Sequence, residues 1–433
     1  MRNKKTYRKS AHRKNHSKLF IIIMIFVFLA NSVSAEEQQV LNLGEIINEA
    51  INNNPQILAA KSRQDAAKAR QKLLITLADP KLEFEYDKII PGMIQGATGE
   101  KMPAMRSFAV SQEVPFPTKL FLRKKSAERE AAAFEHEYKE TERKVIQEVK
   151  ENYFMLFLTH KKIILTKEIL ALLSQLIAVA NSKYSVAEAM QSDVLRAQVE
   201  YSKLSNELVL LEQEQKIAQA MLASLLDKPE NTLSGVPADI SAEINLNEDE
   251  IIKMAKENRP ELKSFKEMAK KAQIDYTLAK QEYMPDFMFK YRRQVADGSA
   301  TNWAGMVGVS VPLWFWEKQS SFVKEGKANL DTANAQYKAE ENMVLFEARS
   351  SYAKFAAAKN LVKIYETGVL PQVKAAYTTA RQGYEAKKID FLDVLDSLRT
   401  LKELQMEYFE SLANSEIALA DLERAVGTDL GEK

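Results

Sequence analysis

The sequence predicts a mostly α-helical fold that carries two isolated pairs of β-strands and is built from two copies of one unit. Long stretches without proline or glycine, such as residues 118–180, are typical of continuous helices. Two segments, residues 80–115 and 285–312, alternate apolar and polar residues between turn residues, which is typical of strand pairs. The chain also repeats itself at a spacing of 200 to 205 residues, which indicates an internal duplication.

Residues 1–35 are predicted to be a secretory signal peptide. Eight basic residues precede an apolar run at 19–30, and small residues lead to Ala35. This run is shorter than the roughly 20 residues that a membrane-spanning helix needs. Without the segment, 53 basic residues face 59 acidic ones, so the predicted mature chain carries a net charge of −6 instead of +2. That balance argues against a nucleic-acid partner.

Matching residues define the two copies. One group recurs 205 positions later and another recurs 200 positions later, and the offset changes where the strand pairs and loops lie, which tolerate differences in length. The first group includes Leu41, Ile46, Ala50, Pro55 and Pro80, and the second includes Tyr184, Asp193, Val194, Leu195, Ile217 and Ala218. We therefore predict a first repeat over 36–228, a linker over 229–247 and a second repeat over 248–433.

Each repeat is predicted to run helix, strand pair, very long helix, turn and return helix. In the first repeat the strand pair covers 80–115, the long helix 118–180 and the return helix 193–226; in the second these elements cover 285–312, 318–379 and 390–425. Pro371 is expected to kink the second long helix. A helix over 118–180 would be about 95 Å long at 1.5 Å per residue. Such helices must pack side by side along their length, as in coiled coils.

The apolar positions of the strands predict a surface that faces lipid. Four strands cannot close a barrel, because known closed barrels begin at about eight strands, so several chains must contribute, and three would give twelve. The alternative is a small sheet whose apolar face packs on the helices of an exported, soluble coiled-coil scaffold. The residues predicted to face lipid are Leu82, Phe84, Tyr86, Phe108, Val110, Phe287, Phe289, Tyr291, Val307 and Val309.

No constellation of residues indicates catalysis, so we expect no enzyme activity, no cofactor and no metal site. The chain has no cysteine, which excludes disulfides. His136 and His160 share one predicted helix about 36 Å apart, too far for a common metal site within one chain. Trp314 and Trp316 are expected either to anchor the protein at a membrane interface or to pack at the junction of strands and helices.

Several of these features together resemble the TolC-type outer-membrane efflux proteins. They are the twofold repeat, the run Val110-Ser111-Gln112-Glu113-Val114-Pro115-Phe116-Pro117-Thr118-Lys119-Leu120 after Pro80, the run at 308–313, and the Tyr-to-Leu motifs at 184–195 and 384–395. The resemblance covers essentially the whole predicted mature chain. The run at 110–120 and Lys318 are most similar to the branch that works with heavy-metal or cation exporters.

The resemblance implies a passive exit duct in the outer membrane of a Gram-negative bacterium. A homotrimer would form a twelve-stranded β-barrel in the membrane, continued by a long α-helical barrel that crosses the periplasm. Its tip would dock onto a periplasmic adaptor protein and an inner-membrane pump. The residues implied to contact the adaptor are Tyr184, Ala187, Leu195, Tyr384, Lys387 and Leu395. Many family members carry glycine where this chain has Ala187 and Lys387, and a left-handed turn is less easy without glycine.

The resemblance also implies an aperture lined by carboxylates. Asp390, Asp393 and Asp396 recur every third residue at the start of a predicted helix, so they share one face. Asp393 and Asp396 match the aperture aspartates of the family, and a ring of them in three chains would attract cations. The alternative is stabilisation of the helix N-terminus by acidic side chains, to which Asp390 is best suited.

Overall fold

A computed structural model of the protein describes residues 40–87, 105–229, 235–237, 247–296 and 301–430. The predicted signal peptide (1–35), the loops inside both strand pairs and most of the predicted linker (229–247) lie outside these residues.

The first half of the chain is dominated by two long helices. A two-residue strand, β1 (Val40–Leu41), precedes helices α1 (Leu43–Asn53) and α2 (Pro55–Leu73), strands β2 (Lys81–Asp87) and β3 (Met105–Val114), and helices α3 (Pro117–Ser185) and α4 (Gln191–Leu225). Asn54 caps α2, since its side-chain oxygen accepts the Gln56 N–H at 2.8 Å. Helix α3 contains 69 residues and ends five residues beyond the predicted position 180.

The second half has the same order of elements with two interruptions. It comprises β4 (Val236–Pro237), α5 (Glu248–Asn258), α6 (Pro260–Gln281), β5 (Asp286–Ala296), β6 (Thr301–Ser310), α7 (Ser320–Ile364), α8 (Leu370–Glu385) and α9 (Phe391–Val426). π-Helical turns at Phe315–Gln319 and Tyr365–Val369 precede α7 and α8. The predicted long helix over 318–379 is therefore divided. The second π-helical turn lies just before Pro371, which cannot donate a backbone hydrogen bond and crowds the preceding turn.

The four longer strands form one antiparallel sheet in the order β2-β3-β5-β6. Its register pairs Phe84 with Phe108, Val110 with Tyr291, and Phe289 with Val307. Directly paired residues point to the same face of a sheet. All ten residues predicted to face lipid therefore lie on a single face, which we call the apolar face.

The apolar face of the sheet is largely exposed. Phe84 is 73% exposed, and most of the other nine residues are also exposed. On the opposite face Ser107, Ala109 and Ser111 are buried, and Lys290 pairs with Glu83 at 2.5 Å. This arrangement disagrees with the alternative in which the apolar face packs on the helices of a soluble scaffold, because most of the apolar face is exposed.

One buried lysine ties the sheet to the helices. The Lys119 side chain, at the start of α3, donates to Asp286 at 3.0 Å and pairs with Glu282 at 3.5 Å. The same Asp286 oxygen accepts the Phe116 N–H at 2.9 Å. The first residue of β5 is thereby held against the first turn of α3, which fixes where the strands meet the helices.

The helices pack lengthwise around α3, which contacts α2, α4, α6 and α9. One hydrophobic cluster is formed by α3, α4, α8 and α9 near the α3–α4 and α8–α9 connections. A second cluster includes α1, and a third includes α5. Ile46, Ala50 and Leu222 in one of these clusters occupy the places of Ile251, Ala255 and Leu422 in the other. By length and composition alone, α3 is also apolar enough to cross a membrane; its apolar surface is used here for packing between helices.

Four helices end in the same hydrogen-bonded turn, and the four turns form two pairs whose members are 200 residues apart. Ala187 and Lys387 have positive φ angles of 62° and 63°, and Asp227 and Gly427 have φ angles of 54° and 77°. In each turn the next N–H bonds to the carbonyl five residues earlier, as Glu188 does to Lys183 at 2.8 Å. This Schellman motif satisfies the last carbonyls of a helix and favours glycine at the left-handed position.

The Asp227 and Gly427 turns should respond oppositely to substitution. A Cβ at Gly427 would lie 2.9 Å from the Cα of Arg259, so Gly427→Ala should lower the free energy of unfolding by about 2–3 kcal/mol. Asp227→Gly should raise it by about 0.5–1 kcal/mol, since glycine removes left-handed strain. Thermal unfolding followed by circular dichroism measures both. Equal effects of the two substitutions would contradict the assigned geometry.

Candidate functional site

The candidate functional site is the end of the helical bundle where α3 turns into α4 and α8 turns into α9. Both turns adopt the left-handed conformation without glycine, at Ala187 and Lys387. Their hydrogen bonds match: Ala187 N–H donates to the Tyr184 carbonyl at 3.0 Å, and Lys387 N–H donates to the Tyr384 carbonyl at 3.1 Å. Ala187 and Lys387 therefore form this turn without glycine, and the left-handed conformation costs about 1–2 kcal/mol of strain at each of the two positions.

Two lysines join the turns to each other. The Lys387 ammonium lies 2.6 Å from a Glu188 carboxylate oxygen in the opposite turn. Lys183, near the end of α3, donates to the backbone carbonyl of Tyr384 and lies 4.2 Å from the centre of its ring. The side chain that introduces strain at position 387 thus also connects the two halves of the chain.

The six residues expected to contact an adaptor divide into two groups. Tyr184, Ala187, Leu195 and Lys387 are exposed, so their side chains are available to a partner. Tyr384 and Leu395 are 6% and 2% exposed. This corrects the expectation for these two residues: they pack in the hydrophobic cluster with Phe391, and their side chains support the turn from within.

The three aspartates lie at the start of α9, and none is buried. Asp390 occupies the N-cap position, but its side chain makes no capping hydrogen bond. Asp393 and Asp396 are exposed, whereas Val394 and Leu398, on the other side of the helix, are buried in the cluster. The core therefore fixes the rotation of α9 and turns Asp393 and Asp396 away from it.

A basic residue, Arg399, occupies the next position on the same side of α9, and it was not among the residues predicted from the sequence. Arg399 follows Asp396 by three residues and forms a 2.5 Å ion pair with Glu200 on α4. The hydrogen bond from Arg399 lowers the pKa of the Glu200 carboxyl. Lys402 pairs with Glu207 at 2.5 Å further along the same two helices. The three-residue spacing of positions 390, 393, 396 and 399 in the sequence could have indicated that Arg399 lies beside the aspartates.

The site is an exposed surface at the end of the helical bundle. Within the described residues, no group of three or more histidine and acidic side chains is placed to hold a metal ion. His136 and His160 both lie on α3, as expected. The site exposes carboxylates at one end of the bundle, and its two lysines hold the turns together.

Comparison with known proteins identifies one family. The family model described as "Outer membrane efflux protein" matches residues 46–227 and 251–428, which together make up most of the chain. Among solved structures, the outer membrane protein VceC of Vibrio cholerae superimposes with a TM-score of 0.79 at 16% identity, over 90% of this chain and 96% of that one.

Two curated relatives share low identity with this chain. "Outer membrane protein TolC" of Vibrio cholerae is 21% identical over 431 residues, which cover 94% of this chain and 95% of the relative. "Cobalt-zinc-cadmium resistance protein CzcC" of Cupriavidus metallidurans is 19% identical over 280 residues, 65% of this chain and 67% of the relative.

Proposed function

This chain belongs to the outer membrane efflux protein family, and from that premise we propose that it is the exit duct of a tripartite efflux system. Members of the family are outer-membrane channels of Gram-negative bacteria with a periplasmic α-barrel, and they are not enzymes. As a family, TolC-type channels are trimeric and work with adaptor and pump partners. The protein is accordingly an outer-membrane efflux channel, and its partners and substrate are what we propose below.

The observation that carries the proposal is the outward apolar face of a sheet with two open edges. Within the described residues, no strand pairs with the outer edge of β2 or of β6. An open edge cannot stay unpaired in lipid, where every backbone donor and acceptor needs a partner. We propose that β6 of one copy pairs with β2 of the next, so that three copies close a twelve-stranded barrel with the apolar face outward.

The internal duplication supports the rest of the proposed architecture. The four matching Schellman turns and the matching cluster residues support the two proposed repeats, 36–228 and 248–433. In a trimer, six similar helical hairpins would surround one axis and form the periplasmic tunnel. The exposed tip residues Tyr184, Ala187, Leu195 and Lys387 would then meet the adaptor.

Membrane fractionation tests the proposed assembly. The mature chain should sit in the outer membrane and migrate as a detergent-stable trimer that separates into monomers on heating. A soluble monomer that keeps its strands without detergent would contradict the proposal and would instead favour an exported scaffold.

We propose that Asp393 and Asp396 line the aperture of the tunnel. Replacing both with alanine should raise single-channel conductance and weaken cation selectivity, because the ring of carboxylates that concentrates cations is lost. Planar-bilayer recordings measure both quantities, and Asp249→Ala in the first turn of α5 is a matched control at another helix start. Unchanged currents in the double variant would place these aspartates outside the aperture.

We propose that the cargo is a metal cation or a drug selected by the pump. The name of CzcC refers to cobalt, zinc and cadmium resistance, which supports the cation branch for this chain. Deleting the gene and testing growth in the presence of cobalt, zinc, cadmium and several drugs separates the two classes.

A further inference from the structure

The lysine that ties the sheet to the helices has an exposed counterpart in the second half of the chain. Lys119 is 1% exposed and pairs with Asp286 and Glu282. Lys318 stands 199 positions later, in the π-helical turn that precedes α7, and is exposed. Among the described residues, no carboxylate forms an ion pair with Lys318. One copy of this junction is therefore closed within the chain, and the other is open.

The spacing of 199 residues relates the two long helices along this part of the chain. Four pairs of residues that lie in or against the hydrophobic clusters of α1 and α5 share it: Val145 and Val344, Val149 and Ala348, Tyr153 and Tyr352, and Tyr138 and Tyr337. It is one residue shorter than the spacing of the turns because the π-helical turn at Tyr365–Val369 accommodates one extra residue in the second half. Lys318 therefore takes the place of Lys119.

The counterpart of the two acids is a single aspartate before β2. Helices α2 and α6, which lead into β2 and β5, are related by 205 residues. Glu282 and Asp286 thus correspond to positions 77 and 81, and neither of those positions is acidic. Asp79 lies midway between them and is exposed. Since Lys119 reaches carboxylates four residues apart, a carboxylate at the midpoint lies within the same reach.

A second contact between α3 and α6 has a counterpart of opposite charges. The Ser126 hydroxyl donates to Asp275 at 2.5 Å across these two helices. The same two spacings lead to Glu325 on α7 and Arg70 on α2. Glu325 is exposed, and the Arg70 side chain is 60% exposed, with Glu130 of its own chain at 3.5 Å. Two contacts between α3 and α6 therefore correspond to two complementary charge pairs between α7 and α2.

These charge pairs lie at opposite edges of the sheet of one chain. Asp79 precedes β2 and Lys318 follows β6, and three strand spacings, about 14 Å, separate the two outer strands. Helix α6 packs against both α3 and α7, whereas α2 packs against α3. In the proposed barrel β6 lies beside β2 of the next copy, just as β3 lies beside β5 within the chain. That arrangement would give α2 the same two neighbours as α6.

From these correspondences we propose that α2 of one copy packs against α7 of the next, with Lys318 paired to Asp79 and Glu325 paired to Arg70 across the contact. The inference rests on the proposed function, since it requires β6 to lie beside β2 of another copy. It adds the side chains that join neighbouring copies where the sheet meets the helices. The matching charges and the equivalent contact inside the chain favour a second copy over lipid or an adaptor as the occupant of this surface.

Cross-linking tests the contact in the full chain purified from outer membranes in detergent. The chain has no cysteine, so Lys318→Cys with Asp79→Cys introduces two defined thiols in each copy. A short bifunctional methanethiosulfonate reagent should join them between copies and close a covalent ring. The matched control combines Asp79→Cys with Lys324→Cys, because Lys324 is exposed and its counterpart on α3, Lys125, is exposed as well.

We expect denaturing gels to show covalent dimers and trimers of the 318–79 variant after heating, and only monomers of the control. Reduction of the reagent should return the monomer. If the heat-sensitive trimer forms but heating releases only monomers, or if both variants cross-link equally, the helices meet in another way and the inference fails. If the unsubstituted protein forms no trimer at all, the proposed function itself fails.

Charge reversal provides an independent test of the Lys318–Asp79 pair. Lys318→Asp and Asp79→Lys each place like charges at the contact, so the fraction of trimer that survives a fixed heating step should fall about fivefold in either variant. The double variant restores opposite charges and should recover most of the trimer, while Lys324→Asp should leave it unchanged. A double variant that loses as much trimer as the two single variants together would show that these side chains do not meet.

Discussion

Phe84→Arg is expected to abolish most trimer assembly in the outer membrane. Phe84 lies in the middle of β2, 73% exposed on the apolar face, opposite Phe108. A cation that faces lipid near the bilayer midplane costs about 2–4 kcal/mol, and a trimer carries this cost three times. The measurement is the yield of heat-modifiable trimer in the outer-membrane fraction, compared with total expression of the chain.

Glu85→Arg is the matched control for this experiment. Glu85 is the next residue of the same strand and points to the opposite face, where it accepts a 3.2 Å hydrogen bond from Ser107. If that face lines a water-filled lumen, an arginine there should leave the trimer yield near that of the unsubstituted protein. Normal assembly of Phe84→Arg together with lost assembly of Glu85→Arg would show that the faces of the sheet are reversed.

The strand faces were predictable because a two-residue period leaves little freedom. Once Leu82, Phe84 and Tyr86 are assigned to one side, the register of each neighbouring strand follows from its own alternation. The direction of the apolar face was not predictable in the same way. Alternation alone fits both an outward and an inward apolar face, and the exposure of residues such as Phe84 in the structure distinguishes the two.

The α3–α4 and α8–α9 turns show the limit of prediction from local sequence. A glycine rule makes left-handed Ala187 and Lys387 appear difficult, yet both turns form. Contacts distant in sequence, such as the Lys387–Glu188 ion pair, offset the local strain. The burial of Tyr384 and Leu395 was missed for the same reason: the family motif locates the turn, but the rotation of each helix is set by packing against the other half of the chain.

Arg259 is the clearest case of a residue whose importance no local pattern reveals. It stands 205 positions after Asn54, and each side chain donates to a carbonyl near the end of a helix in its own half of the chain: Asn54 to Leu225 at 2.9 Å on α4, and Arg259 to Arg424 on α9. Arg259 is fully buried, with Glu261 at 3.0 Å, Glu347 at 3.1 Å and Glu140 at 3.4 Å. These carboxylates belong to α6, α7 and α3, so one guanidinium joins both halves of the chain.

Arg259→Met should therefore lower the free energy of unfolding by about 3–5 kcal/mol, because removing one partner leaves buried charge uncompensated. Arg259→Lys should fall in between, since it keeps the charge and loses the planar fork. Thermal unfolding by circular dichroism measures the change. The control is Lys256→Met, which removes an exposed ion pair with Glu341 and should cost under about 1 kcal/mol.

The loss in Arg259→Met should also depend on pH in a defined direction. Burial already raises the pKa of Glu140, against the opposing attraction of Arg259 and Arg424. Without Arg259 that pKa rises further, so the folded protein binds a proton more readily than the unfolded chain. Protonation then stabilises the folded state as the pH falls through the raised pKa. The deficit should be smaller at pH 5 than at pH 8, whereas a loss of packing alone would give the same deficit at both.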